Sequence, residues 1–133
     1  MGDRRRQLVV GYLGLQAAAV VVWWAALVLS PRVREWFEMD GGRRDVLTAF
    51  AAGDAVILGA GSVLAAVGLR RRARWAGTAT AGVAGGSAYA TLLLGAWVAL
   101  GGRGAIGLAP MVAATAASVA GAALAPDRAG RAG

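Results

Sequence analysis

The 133-residue chain carries 14 Arg and 7 acidic residues but no Lys, His, Cys or Asn, and its net charge is +7. Gly contributes 21 positions and hydrophobic residues 58%. The missing His and Cys exclude a zinc-finger set, a thiol redox pair, a haem-ligating imidazole and a Ser-His-Asp triad, and the missing Lys excludes a Walker A loop and a Schiff base.

The apolar residues fall in long blocks. A bilayer core is roughly 30 Å thick, so a spanning helix needs about 20 mostly apolar residues. Residues 8–29, 46–69, 76–100 and 105–125 meet that length, and Asp54 is the sole charge within them. Lipid cannot hydrogen-bond the backbone, so the blocks must be helices or barrel strands, and none shows the alternation of a barrel strand. A soluble bundle would need a polar face on every helix. Residues 105–125 offer only Thr115 and Ser118. The expected fold is all-α: a polytopic membrane protein, an antiparallel up-down bundle of four transmembrane helices. It forms one domain over 1–133, with 126–133 a disordered cytoplasmic tail.

The first block follows Arg4, Arg5 and Arg6, as the core of a secretory signal would. Its length and the poor cleavage sequence Leu29-Ser30-Pro31-Arg32 favour a retained span. Tyr12 is assigned to an inner aromatic belt. Trp23 and Trp24 lie about 9 Å inside the far end of the same helix.

The connection over residues 30–45 is the long one. Ser30 suits a cap and Pro31 a first helical turn. Val33, Trp36 and Phe37 share a face, and Arg34 and Glu38 pair at i, i+4. A short amphipathic helix over 31–39 is expected in the outer interface, with Trp36 and Phe37 at headgroup depth. Gly41-Gly42 ends it and Asp45 caps the second span. Glu38, Asp40 and Asp45 lie beside four arginines and read as a neutralised loop, so no metal site is expected. Arg43 and Arg44 are candidate ligands for a lipid phosphate.

Within the second span, Asp54 lies about 12 Å below the outer boundary. An acid at such depth is a functional candidate, with helix gluing as its structural alternative. No Arg lies inside a span, so Asp54 is expected to keep its proton and donate to Tyr89, Thr91 or the Ile106 carbonyl, which Pro110 leaves without its helical partner. Tyr89 shares a face with Gly82, Gly85 and Gly86 and is expected to point inward. The candidate ligand-binding set is Asp54, Tyr89, Thr91, Trp23 and Trp24.

Arg70, Arg71, Arg72 and Arg74 fill the next, short connection; Arg70, Arg71 and Arg72 are candidate headgroup ligands. Trp75 is assigned to the inner belt and Trp97 to the outer one. Residues 101–104 make a tight outer turn. Gly102 to Gly107 spells G-x-G-x-x-G but follows a span rather than a strand, so the glycines are assigned to turning and close packing rather than dinucleotide binding. Nine arginines then fall on one side and five on the other, which predicts both termini in the cytoplasm of a cell-membrane protein. The basic surplus faces anionic headgroups. No soluble basic face interleaved with aromatics exists, so nucleic acid is not an expected partner.

Partners are therefore membrane lipids and a homo- or hetero-oligomer formed through glycine-rich helix faces; no cofactor is expected. Three functions compete. The first is a non-enzymatic helix-packing module. The second is a transporter or lipophilic-ligand binder with an outer-leaflet pocket at Asp54 and Tyr89. The third is a lipid-modifying enzyme using an intramembrane carboxyl. In size alone the chain is similar to small multidrug exporters and DoxX-like membrane proteins. The exporters' first-span Glu is missing here, and no motif supports the DoxX comparison, so no residue role is carried over. A filled interior would favour the module, and a cavity of several hundred Å3 beside Asp54 the binder.

Overall fold

The computed structural model describes residues 2–37, 50–100 and 103–125. They form α1 (Asp3–Leu29), α2 (Pro31–Glu35), α3 (Phe50–Arg70), α4 (Ala76–Ala99) and α5 (Ala105–Leu124), with no strand among the described residues. All but α2 are long and apolar enough to cross a membrane, and only 17–22% of the most apolar window of each is buried. Large side chains such as Leu8, Val21, Leu64 and Leu92 point out of the bundle. Apolar surface on that scale suits acyl chains as solvent and not water.

Helix ends follow local chemistry. α1 stops before Pro31, whose ring disfavours helical geometry in Ser30. The Ser30 hydroxyl accepts from the Val33 N–H at 3.4 Å, and the Arg34 guanidinium donates to the orphan carbonyls of Leu27 and Val28 at 3.0 and 2.8 Å. At the other end α3 closes in a Schellman motif. The Ala73 N–H donates to the Gly68 carbonyl at 2.9 Å, the Arg72 N–H to Leu69 at 3.3 Å, and Arg72 takes the left-handed position at φ 54°. Asp3 pairs with Arg6 at 2.9 Å and reaches Arg72 at 3.4 Å, tying the start of α1 to this turn.

Contact pairs fix an up-down-up-down order. Trp24 meets Asp54 on α3, and a Cβ at Gly59 would touch Val20. Gly61 lies against Val83, and Ile57 seats on Gly86. Thr91 bonds Met111 and Thr115, while Gly121 packs on Val9. Each pairing runs antiparallel, and α5 returns to α1. Packing is densest at the arginine-rich end, where Val9, Val10, Leu13, Ala65, Ala66 and Leu69 form the core with Ala76 and Val83. Small residues there let the helices approach closely, which substitutes for the missing hydrophobic driving force.

Midway along α3, Ala55–Ala60 is a π-helical turn, with the Gly61 N–H bonded to the Val56 carbonyl. One inserted residue rotates the helix on either side by about 100° relative to a regular α-helix. Nothing in the residue pattern announced it. Asp54 stands at its first turn.

The loop helix differs from expectation. Its helical turns end at Glu35, and residues 38–39 lie outside the described residues, as do Asp45, Arg43, Arg44 and the 126–133 tail. Trp36 is exposed, but Phe37 folds back over the bundle. It packs edge-on against Trp23, with centroids 4.8 Å apart, and covers Gly104 and Gly107. Gly104 has φ 110°, and a Cβ there would stand 3.0 Å from the Phe37 ring. These glycines of the G-x-G-x-x-G string thus seat an aromatic lid residue.

Candidate functional site

Above the dense end the helices part, and a cavity of about 430 Å3 opens among α1, α3, α4 and α5. Its walls are chiefly apolar, and six of the chain's nine aromatics line it. Trp23, Trp24, Phe37, Phe50 and Trp97 surround the loop end, and Tyr12 sits at the floor. Leu15, Ala19 and Pro110 line the cavity and are also exposed on the outer surface. The cavity is therefore open on the side between α1 and α5.

Two polar poles face this apolar volume, and the exposed Arg103, which donates to the Glu35 carbonyl at 3.4 Å, lines its loop end. The first is Asp54, half-buried, whose Oδ2 accepts from the Trp24 indole N–H at 3.3 Å. Its other oxygen takes no hydrogen bond from the described residues, and no described arginine ion-pairs with it. The second pole is a hydroxyl and amide network on α1, α4 and α5, about 12 Å further along, since Gln16 precedes Trp24 by eight residues. The Tyr12 hydroxyl donates to the Ala114 carbonyl at 2.6 Å and lies 2.8 Å from Ser118. Ser118 donates to the Gln16 Oε1 at 3.0 Å, and the Gln16 amide donates to Ser87 at 3.3 Å. Thr115 donates to the Ser87 carbonyl at 3.0 Å and stands 2.7 Å from Thr91. Side chains thus take one another's polar groups out of the lipid, as a dry interior requires.

No protein-family model, curated protein or solved structure matches the chain. The reading of the site therefore rests on geometry.

Of the five sequence candidates, Asp54, Trp23 and Trp24 come together in the cavity. Tyr89 does not. It is 67% exposed and points outward with Gly82 and Gly85, while Gly86 alone of that trio is filled by a neighbouring helix, through Ile57. Gly82 and Gly85 do share a helix surface with Tyr89, but it looks away from the bundle. Thr91 lies beside the wall, bonded to Met111 and Thr115 rather than to Asp54. Asp54 thus meets a donor, Trp24, in place of the acceptors expected for it. Arg70, Arg71 and Arg72 are exposed at the α3–α4 turn, free of the cavity.

Sequence reasoning passed over Gln16, Ser87 and the inward turn of Tyr12. A signal was present: Gln16 is a lone amide in a block otherwise free of one, and such a group seeks a helix partner in lipid. Trp97, assigned to a belt, lines the cavity. Trp75 instead lies over Gly68, where a Cβ would stand 2.7 Å from its Cη2.

Proposed function

We propose that this chain is a multi-pass membrane protein that binds an amphipathic molecule in the space between its helices, without chemistry of its own. The observation that carries the proposal is the cavity of about 430 Å3. That volume is within the range of small-molecule sites, and an apolar lining with a few convergent polar groups is their usual composition. Entry is from the acyl phase between α1 and α5. Asp54 and the Gln16–Ser87 pair fix the polar parts of the guest, and Phe37 covers the loop end. The nine-to-five arginine bias supports placing both termini in the cytoplasm of a cell membrane, with α2 at the outer interface and Arg70, Arg71 and Arg72 against lipid phosphates.

A titration with a bromoalkanol in detergent tests the binding reading. With Trp36 and Trp75 replaced by Phe, the remaining indoles, Trp23, Trp24 and Trp97, all line the cavity. Quenching should saturate, and Ala90→Phe, which projects a ring into the cavity, should abolish saturation while the fold persists. Linear quenching identical in both proteins would end the proposal.

A second reading has its own support. On α4, Gly82 and Gly85 are exposed and nothing lies within 4 Å of a Cβ built on either. Beside Tyr89 they form a smooth strip on which another transmembrane helix could pack closely. Cross-linking of Gly85→Cys in the membrane tests this oligomer, since the chain has no other cysteine.

A further inference from the structure

Resting on the binding reading, we infer that the cavity selects a lipophilic cation: an organic ammonium, phosphonium or similar centre carrying apolar groups. Three features converge on that class. Asp54 is the one acid among the described residues lining the cavity, with one oxygen engaged by Trp24 and the other taking no hydrogen bond from the described residues. Among the described residues no arginine forms an ion pair with it; Arg103, which also lines the cavity, is exposed at the loop end and donates to the Glu35 carbonyl at 3.4 Å. The same cavity is lined by the rings of Trp23, Trp24, Phe37, Phe50 and Trp97. The negative faces of aromatic rings attract a cation, most strongly where water is excluded, and indole is the best of them. A weakly hydrated cation with apolar substituents gains from both features. It also loses little on leaving the headgroup layer for a cavity that opens sideways. An anion of the same shape meets the carboxylate and the ring faces, both repulsive, and among the described lining residues only Arg103, at the exposed loop end, offers it a positive charge.

Aromatic residues near helix ends often serve only as membrane anchors. These five differ because they converge on a common interior volume and Trp24 is bonded to the acid within it. The competing account makes Asp54 a structural tie between α1 and α3. The two accounts diverge over Trp24→Phe, which removes the tie and keeps the charge.

The experiment is equilibrium dialysis of the purified full chain in detergent against tetraphenylphosphonium and tetraphenylborate, nearly isosteric ions of opposite sign. Wild type should hold the cation about tenfold or more tightly than the anion. Asp54→Asn should erase the preference, Asp54→Glu should keep it, and Trp24→Phe, which retains the charge and a weaker ring face, should narrow it without abolishing it. Should the Asn variant not fold, the Glu and Phe variants decide: loss of the preference in both, with the fold intact, overturns the inference. Equal affinity for both ions in wild type also overturns it. If Ala90→Phe then abolishes that unselective binding, the cavity remains a binding site and only the charge assignment falls. Failure of wild type to bind either ion overturns the inference and removes its foundation with it.

Discussion

Gly86 is the most sensitive point in the packing of α3 against α4. A Cβ placed there would run into Cγ2 of Ile57, with the Ile57 Cβ itself 3.5 Å away. Cγ2 is fixed to a β-branched carbon and cannot swing clear as the end of a long side chain would. Ile57 also lies in the π-helical turn, so relief requires moving the backbone that carries Asp54 and Leu58 to the cavity. Overpacking of this kind costs about 1–3 kcal/mol, and the bilayer gives no hydrophobic return for parting the helices. Gly86→Ala should therefore destabilise the bundle by that amount. Ile57→Ala removes the obstructing carbon, so in its background Gly86→Ala should cost less than about 0.5 kcal/mol, a coupling of the size expected for residues in contact. Reversible unfolding in mixed detergent–dodecyl sulfate micelles, followed by far-ultraviolet circular dichroism, gives all four free energies. A neutral Gly86→Ala, or additive effects in the double variant, would refute the claim that this glycine exists to admit Ile57.

Other outcomes are as specific. Tyr12→Phe leaves the ring and deletes the hydroxyl that joins α1 to Ala114 and Ser118; hydrogen bonds between membrane helices average about 0.6 kcal/mol, so a loss of about 1 kcal/mol is expected in the same unfolding assay. Arg72→Gly should raise stability by about 0.5–1 kcal/mol, because Arg72 occupies a left-handed Schellman position that glycine takes freely and its contact to Asp3 is exposed. Gly104→Ala should destabilise by about 1–3 kcal/mol through its φ of 110° and the ring of Phe37, and should weaken retention of a cavity guest by lifting that ring. Ala73→Cys, placed in the α3–α4 turn, should react with an impermeant maleimide only from the cytoplasmic side; labelling from outside would invert the proposed topology.

The four spans were legible because a bilayer imposes a crude and severe rule: some 20 residues without charge, bounded by arginines. The structure places long apolar helices within a few residues of each block, and α1 runs on through Arg4–Arg6 to Asp3. Facing was less legible. In water a helix announces its buried side by polarity, but in lipid both sides are apolar and only the small or polar residues carry information. Tyr89 illustrates the ambiguity. Its glycine neighbours mark a surface that permits close approach, and such a surface serves an inward or an outward partner equally well. Phe37 likewise shares its helical face with Trp36 in sequence, yet the turn at residues 36–37 sends the two rings to different places.

The site itself was half readable, for a reason that bears on its function. Asp54 and the two tryptophans stand out as residues that lipid tolerates poorly or places at particular depths, so composition alone exposes them. What composition cannot express is the volume between them. That volume arises because α1 and α5 meet at Val9–Gly121 and at Tyr12–Ser118, then leave a gap that no side chain is long enough to close. The residues facing the gap on α5 are Gly107, Pro110, Met111, Ala114 and Thr115, mostly small, and on α1 Ala19 breaks the run of larger groups. Filling such a gap with leucines would be the simplest way to stabilise a pure packing module. A bundle that instead secures its floor with hydroxyls, lines its walls with indoles and leaves the middle empty retains a space the size of a small guest. Ala114→Leu separates these alternatives: if the space is unintended, the added methyl groups should stabilise the fold and alter nothing else. If the space is a site, the same stabilised protein should lose saturable quenching by the bromoalkanol.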